Sequence, residues 1–234
     1  LRVQPAKESM PYIHDVIKLI RAELPKDIPL IGFGGAPFTL ASYAIEGKGS
    51  RNYVFVKQMM YGDAGAWHGL MEKITDTVID YMNYQIDSGV QAVQLFDSWV
   101  GTLSPSDYRE YVMPHSQRMM KEISGRVPVI HFGTGNPALA PLMAEAGGDV
   151  LALDWRTPLL ETWNATGVKS VQGNMDPIIL CADKASVKRK AKEVLDEVDG
   201  RPGHIFNLGH GIIPETPVEN VKALVDFVHE YSAR

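Results

Sequence analysis

Six times along this chain a short strand-like run, apolar in most cases, ends in polar or glycine residues and gives way to a helical pattern. The runs are Leu30–Phe33, Ala92–Phe96, Pro128–Phe132, Val150–Trp155, Ser170–Asn174 and His204–Leu208. Uninterrupted apolar runs belong to strands covered on both faces, and helices between them return the chain so that the strands lie parallel. Two architectures meet that description, an open doubly wound sheet and a closed (β/α)8 barrel. Polar residues stand at or just after the end of most runs, among them Asp97-Ser98, Asp154, Asn174 and His210. A barrel gathers all such ends in one ring, whereas an open sheet uses mainly its switch point. The pattern therefore predicts an α/β fold, a TIM barrel that is incomplete, with six of the eight βα units.

Between the runs the helix signals are local and physical. Ile13, Val16, Ile17, Ile20 and Leu24 form one stripe of a helix over Pro11–Leu24, while residues 1–10 read as irregular. Pro37 suits a first helical position, where no N–H is needed. A long helix is predicted from Ala64 to Ser88, closed by Gly89. Ser104-Pro105-Ser106-Asp107 is a cap followed by a proline start, and Pro114 must kink or split the helix it opens. Thr216 is expected to cap the last helix. Gly34 and Gly35 follow the first run, where the backbone either takes positive φ or passes close to something.

Nothing divides the chain: no Gly/Ser linker, low-complexity segment or fixed-period repeat interrupts it, so residues 1–234 read as one domain. Hydrophobic residues at 45% suffice for a large core. A net charge of -5 without a long basic run argues against a nucleic-acid or anionic-membrane partner. One cysteine, Cys181, cannot form an internal disulfide, and a cytoplasmic setting is expected. No apolar run is long enough to span a membrane, and the start is not a signal peptide. That start lacks an initiator Met and reads as a linker, so the chain is expected to be processed or part of something longer.

The strand ends supply the candidates for chemistry. Tyr43 is either a rim tyrosine packed for its ring or a hydroxyl donor to a ligand. Ser98 caps a turn or meets a substrate, and Asp97 reads first as an ion-pair or turn residue. His131, inside an apolar run, reads as a core histidine, and Asp154 with Arg156 as an internal ion pair. The Gln172–Asp176 stretch either binds a ligand or supports its neighbours. His210 lies between Gly209 and Gly211 with little to pack on, which favours a functional role. Gly32–Pro37 lacks the third glycine of a dinucleotide fingerprint. No Walker loop, zinc spacing or nucleophile elbow appears.

The stretch Gly32-Phe33-Gly34-Gly35-Ala36-Pro37-Phe38-Thr39-Leu40, with Tyr43, Glu46 and Gly47, resembles a signature of the uroporphyrinogen decarboxylase family. The likeness continues through Leu95–Ser98, Leu153–Trp155, Gln172–Pro177 and Asn207–Gly211, in the family's order. It implies a single (β/α)8 barrel, usually a homodimer with facing clefts, and a carboxy-lyase needing no metal or prosthetic group. The implied reaction removes the carboxyl groups of the four acetate side chains of uroporphyrinogen III, giving coproporphyrinogen III on the route to haem and other tetrapyrroles. By the same resemblance Tyr43, Ser98 and His210 match substrate-contacting residues, and Phe33 and Phe96 match apolar residues that flank the macrocycle.

The family's opening arginine-rich motif and the aspartate that meets the pyrrole N–H groups are not in this sequence. The six strands then correspond to the third to eighth, the chain to the C-terminal two-thirds, and no residue is assigned as catalytic. Such a piece is expected to fold poorly alone, with open sheet edges. Two other readings stay in view. A corrinoid-type methyltransferase shares this superfamily's barrel, but Cys181 stands outside any His-x-Cys pattern that would bind its zinc. A non-catalytic porphyrinogen-binding relative would bind without releasing CO2.

Overall fold

In the computed structural model, which describes residues 1–123 and 125–233, each of the six runs forms a strand. The chain divides into two compact units, Leu1–Asp149 and Val150–Arg234.

The first unit opens with α1 (Ala6–Ser9), where an irregular segment was expected, and α2 (Tyr12–Glu23). Of the stripe predicted for α2, Ile17 is buried, whereas Val16 and Ile20 are exposed. Strand β1 (Ile31–Gly35) leads through Ala36 into α3 (Pro37–Glu46), with Pro37 at its first position. Then come α4 (Val54–Gly62), α5 (Ala64–Ser88) and β2 (Ala92–Asp97). The Asp63 carboxylate accepts the Ala66 N–H at the start of α5, and Gly89 ends it at φ 113°.

After β2 the helical run begins at α6 (Pro105–Asp107), with Ser104 accepting the Asp107 N–H as its cap. The proline problem is solved without a break. Residues Tyr108–Val112 form a π turn and α7 (Met113–Ile123) continues from it. The extra residue in the turn absorbs the hydrogen bond that Pro114 cannot donate. Strand β3 (Val129–Gly133) and α8 (Ala140–Ala146) complete the unit.

Strands β1, β2 and β3 pair in parallel, Ile31 against Ala92 and Val93 against Val129. Gly32 and Gly34 let the long helix α5 lie close on β1. A Cβ on Gly32 would stand 2.7 Å from Gln85 Oε1, and one on Gly34 2.5 Å from Met82 Cε. Close approach, not positive φ, is what Gly34 and Gly35 supply, and the space at Gly35 is taken by the Leu40 side chain.

The second unit runs β4 (Val150–Ala152), α9 (Leu159–Thr166), β5 (Ser170–Met175), α10 (Lys184–Val198), β6 (His204–Leu208) and α11 (Val218–Ser232). Strand β5 pairs in parallel with both β4 and β6. Strand β4 stops three residues short of the expected Trp155, which puts Asp154 and Trp155 in the turn. Met175, Leu180, Val187, Ala191 and Leu224 form the buried core under α10 and α11. Thr216 does not cap α11; its hydroxyl accepts the Ile213 N–H instead, closing a turn.

The strands are not covered equally. β3 is buried throughout, whereas β1 and β6 alternate between covered and open residues. Ile31 is 45% exposed, Phe33 63% and Ile205 43%. Among the described residues, β1 pairs within its unit with β2 alone, and β6 with β5 alone. No helix among the described residues is long and apolar enough to cross a membrane.

Candidate functional site

In the first unit the site grows from the C-terminal end of β2. Alternation along the strand turns Asp97 inward and leaves Phe96 half-buried. Asp97 is fully buried and forms no ion pair among the described residues, which removes the ion-pair reading and leaves it the residue that leads into the Ser98-Trp99 turn. Its Oδ1 accepts the Thr39 hydroxyl at 2.9 Å. Burial pushes its carboxyl up to about 7, against the pull of the Thr39 hydrogen bonds.

The same Thr39 oxygen accepts the Trp99 backbone N–H at 3.4 Å. Trp99 in turn meets Tyr43 edge to face at 5.7 Å and Tyr53 at 5.9 Å. The Tyr43 ring is half-exposed, and Ser98 lies between the two residues that Thr39 holds.

Three phenylalanines form a row across the sheet. Phe33 meets Phe96 at 6.0 Å, and Phe96 meets Phe132 at 5.7 Å, both edge to face. Phe33 is fixed through its backbone: the Gln85 amide donates to its carbonyl at 2.9 Å and accepts its N–H at 3.1 Å. Gly32 admits that amide. His131 is a core residue, as its place in an apolar run predicts. Burial holds its imidazole down at about 4, and its Nδ1 lies 3.3 Å from the Gly147 carbonyl.

In the second unit the turn after β4 carries the predicted ion pair. Arg156 Nη1 donates to Asp154 Oδ2 at 2.8 Å, while the Arg156 N–H and Thr157 hydroxyl reach Oδ1. The guanidinium also lies over the Trp155 ring at 3.9 Å. Asn174 supports this turn, donating to the Asp154 and Thr157 carbonyls at 2.9 and 2.6 Å.

The turn that bears His210 sits on the same support. A Cβ on Gly209 would lie 2.5 Å from the Trp155 nitrogen, and the Gly209 N–H bonds the Met175 carbonyl at 2.8 Å. His210 is exposed, and its Nδ1 accepts the Gly211 N–H at 2.8 Å. That bond assigns the proton of the neutral ring to Nε2, the nitrogen placed to donate.

The structure therefore gathers Phe33, Phe96, Tyr43 and Ser98 around the ends of β1 and β2, and holds His210 in the second unit. Sequence reading missed Thr39, Gln85, Trp99 and Tyr53. Thr39 had one available signal, its position four residues before Tyr43, which puts both on one helix face. Among the described residues no group of three or more His, Cys, Asp or Glu side chains is arranged to hold a metal ion.

Parallel βα units with polar side chains at the C-terminal strand ends define the class: an α/β fold with a strand-end site. A methyltransferase from Methanosarcina mazei shares this fold, with a TM-score of 0.84 at 22% identity over 98% of this chain and 68% of its own. A family model described as uroporphyrinogen decarboxylase (URO-D) matches residues 1–231. The uroporphyrinogen decarboxylase of Sorangium cellulosum is 53% identical over 98% of this chain and 66% of its own length. That of Carboxydothermus hydrogenoformans is 52% identical over 100% and 67%, and that of a Thermus thermophilus strain 49% over 100% and 68%. The chain belongs to the uroporphyrinogen decarboxylase family, and it spans about two thirds of the length of these relatives.

Proposed function

We propose that the protein containing this chain is a carboxy-lyase that removes the four acetate carboxyl groups of uroporphyrinogen III, without a metal or prosthetic group, to give coproporphyrinogen III. The observation that carries this reading is the family match over residues 1–231, joined to relatives of that name at about half identity across the chain. The chemistry sets what a site must do. Loss of CO2 from an acetate on a pyrrole leaves a carbanion, and protonating the pyrrole first turns the ring into an electron sink. The substrate has apolar pyrrole faces, N–H groups at the centre of its macrocycle and carboxylates around its rim. Phe33 and Phe96 suit the faces of the macrocycle, and the Tyr43, Ser98 and His210 donors suit its carboxylates.

In this reading the chain is most of one barrel domain acting as a cytoplasmic homodimer. The uneven cover of the strands supports the barrel: Ile31, Phe33 and Ile205 are exposed on β1 and β6. We assign the cover of Ile31 and Ile205 to two further βα units within the third of the relatives' length that this chain does not span, and leave Phe33 open to the substrate. The charged centre of the site, an aspartate for the pyrrole N–H groups and arginines for carboxylates, belongs there too.

The test is incubation of the complete gene product with uroporphyrinogen III, with products separated by carboxyl number. Sequential appearance of hepta- to tetracarboxylate species supports the reading; tight binding with no loss of carboxyl groups would replace it with a binding protein. A His210→Gln variant then assigns the imidazole. A turnover loss of about 10²-fold or more, with a changed pH profile, marks proton transfer. Near-normal turnover at every pH restricts His210 to hydrogen bonding.

A further inference from the structure

Thr39 takes no part in the chemistry proposed for the site, yet its single hydroxyl makes an unusual pair of bonds. It donates to the side chain of the residue before Ser98 and accepts from the backbone of the residue after it, at 2.9 and 3.4 Å. One helical turn further along α3, the Tyr43 ring packs on Trp99, so the circuit closes: α3, Thr39, Asp97-Ser98-Trp99, Tyr43, and back to α3. Thr39 and Asp97 are both buried, so water does not compete for the bond. Tyr53 also packs against Trp99, with ring centroids 5.9 Å apart.

We propose that Thr39 is a positioning residue, whose hydroxyl clamps the turn after β2 to α3 and thereby fixes the Ser98 hydroxyl and the Tyr43 phenol relative to one another. The inference rests on the decarboxylase reading for what those two groups touch, and on the structure alone for the frame that holds them. Valine at position 39 keeps the shape and removes both bonds. Serine keeps the hydroxyl. A control of matching chemistry lies in the same unit: Thr75 is fully buried, and its hydroxyl only bonds back to the Met71 carbonyl of its own helix at 2.7 Å.

The experiment uses the complete gene product labelled with 5-fluorotryptophan, in wild-type, Thr39→Val, Thr39→Ser and Thr75→Val forms. The Trp99 fluorine resonance is assigned with Trp99→Phe. In Thr39→Val, kcat falls about 10- to 100-fold at a thermal stability no lower than that of Thr75→Val, and the Trp99 resonance shifts. In Thr39→Ser, kcat returns to within about threefold of wild type. Thr75→Val leaves both kcat and the resonance in place. An equal effect of the two valine variants on kcat, or an unmoved Trp99 resonance in Thr39→Val, overturns the proposal. If Thr39→Val does not fold, Thr39→Ala, which leaves space instead of a methyl group against Asp97, carries the same comparison. If the wild-type protein releases no CO2, the decarboxylase reading falls by itself, and the Trp99 resonance alone decides whether Thr39 holds the frame.

Discussion

Asp97 shows how one buried carboxyl sets a pH dependence for the fold. Its folded-state value near 7 lies above the ordinary carboxylate value of 3.8, and burial is the main cause. A raised carboxyl means that the folded protein holds the proton more tightly than the unfolded chain. The resulting stability is fully present below the ordinary value and is lost as pH rises through the folded one. Asn at this position keeps an acceptor for Thr39 and has nothing to titrate. Between pH 5 and pH 8, wild type is therefore expected to lose about 2–3 kcal/mol of unfolding free energy relative to Asp97→Asn. Urea titrations at the two pH values measure this; parallel losses in the two proteins would mean that Asp97 is already ionised at pH 5. His131 acts in the opposite sense. Held neutral by burial, it stabilises above its ordinary value of 6.5, and that contribution is lost as pH falls toward about 4.

At the scale of elements, the turn after one strand rests on the turns and strand residues beside it. Gly209 rests against the Asp154–Trp155 backbone, so a methyl group there has no room, while a Cβ on Gly211 meets nothing within 4 Å. Gly209→Ala is expected to destabilise the protein by about 1–3 kcal/mol and to displace the His210 turn. Gly211→Ala should stay within about 0.5 kcal/mol of wild type in the same thermal unfolding measurement. Equal effects of the two substitutions would show that the turn yields freely.

This dependence between turns also marks where the sequence was legible. Apolar runs, proline starts and the Gly89 stop are encoded within a few residues, and the long helix α5 and the start of each strand lie within a residue of where those signals put them. The partner of Asp97 was not legible, because Thr39 is 58 residues away and an ion pair and a hydroxyl are equally good partners for an aspartate at a strand end. Pro114 announced a disturbed helix but not its form, since a kink, a break and a π turn all satisfy the missing donor. The end of β4 was misjudged for a related reason. Leu153 and Trp155 continue the apolar run, but Asp154 folds back to bind Arg156 and Thr157 and so ends the strand.

For the whole molecule, the uneven cover of β1 and β6 makes a prediction about the chain by itself. Exposed Ile31, Phe33 and Ile205 beside open backbone edges favour association with other chains. The 234-residue chain alone is expected to bind a hydrophobic dye and to self-associate, whereas a protein in which Ile31 and Ile205 are covered should bind less dye. Light scattering with dye titration distinguishes these; a monodisperse, dye-free short chain would show that the edges need no cover.

The decarboxylase proposal predicts that the first unit's Tyr43 and Ser98 hydroxyls, beside the Phe33 and Phe96 rings, meet a substrate that loses carboxyl groups. The most direct measurement is the release of labelled CO2 from uroporphyrinogen III carrying ¹³C in its acetate carboxyl groups, by the complete gene product. Release approaching four CO2 per macrocycle, with coproporphyrinogen III as the end product, is the predicted result. Bound macrocycle with all its label retained would contradict the claim.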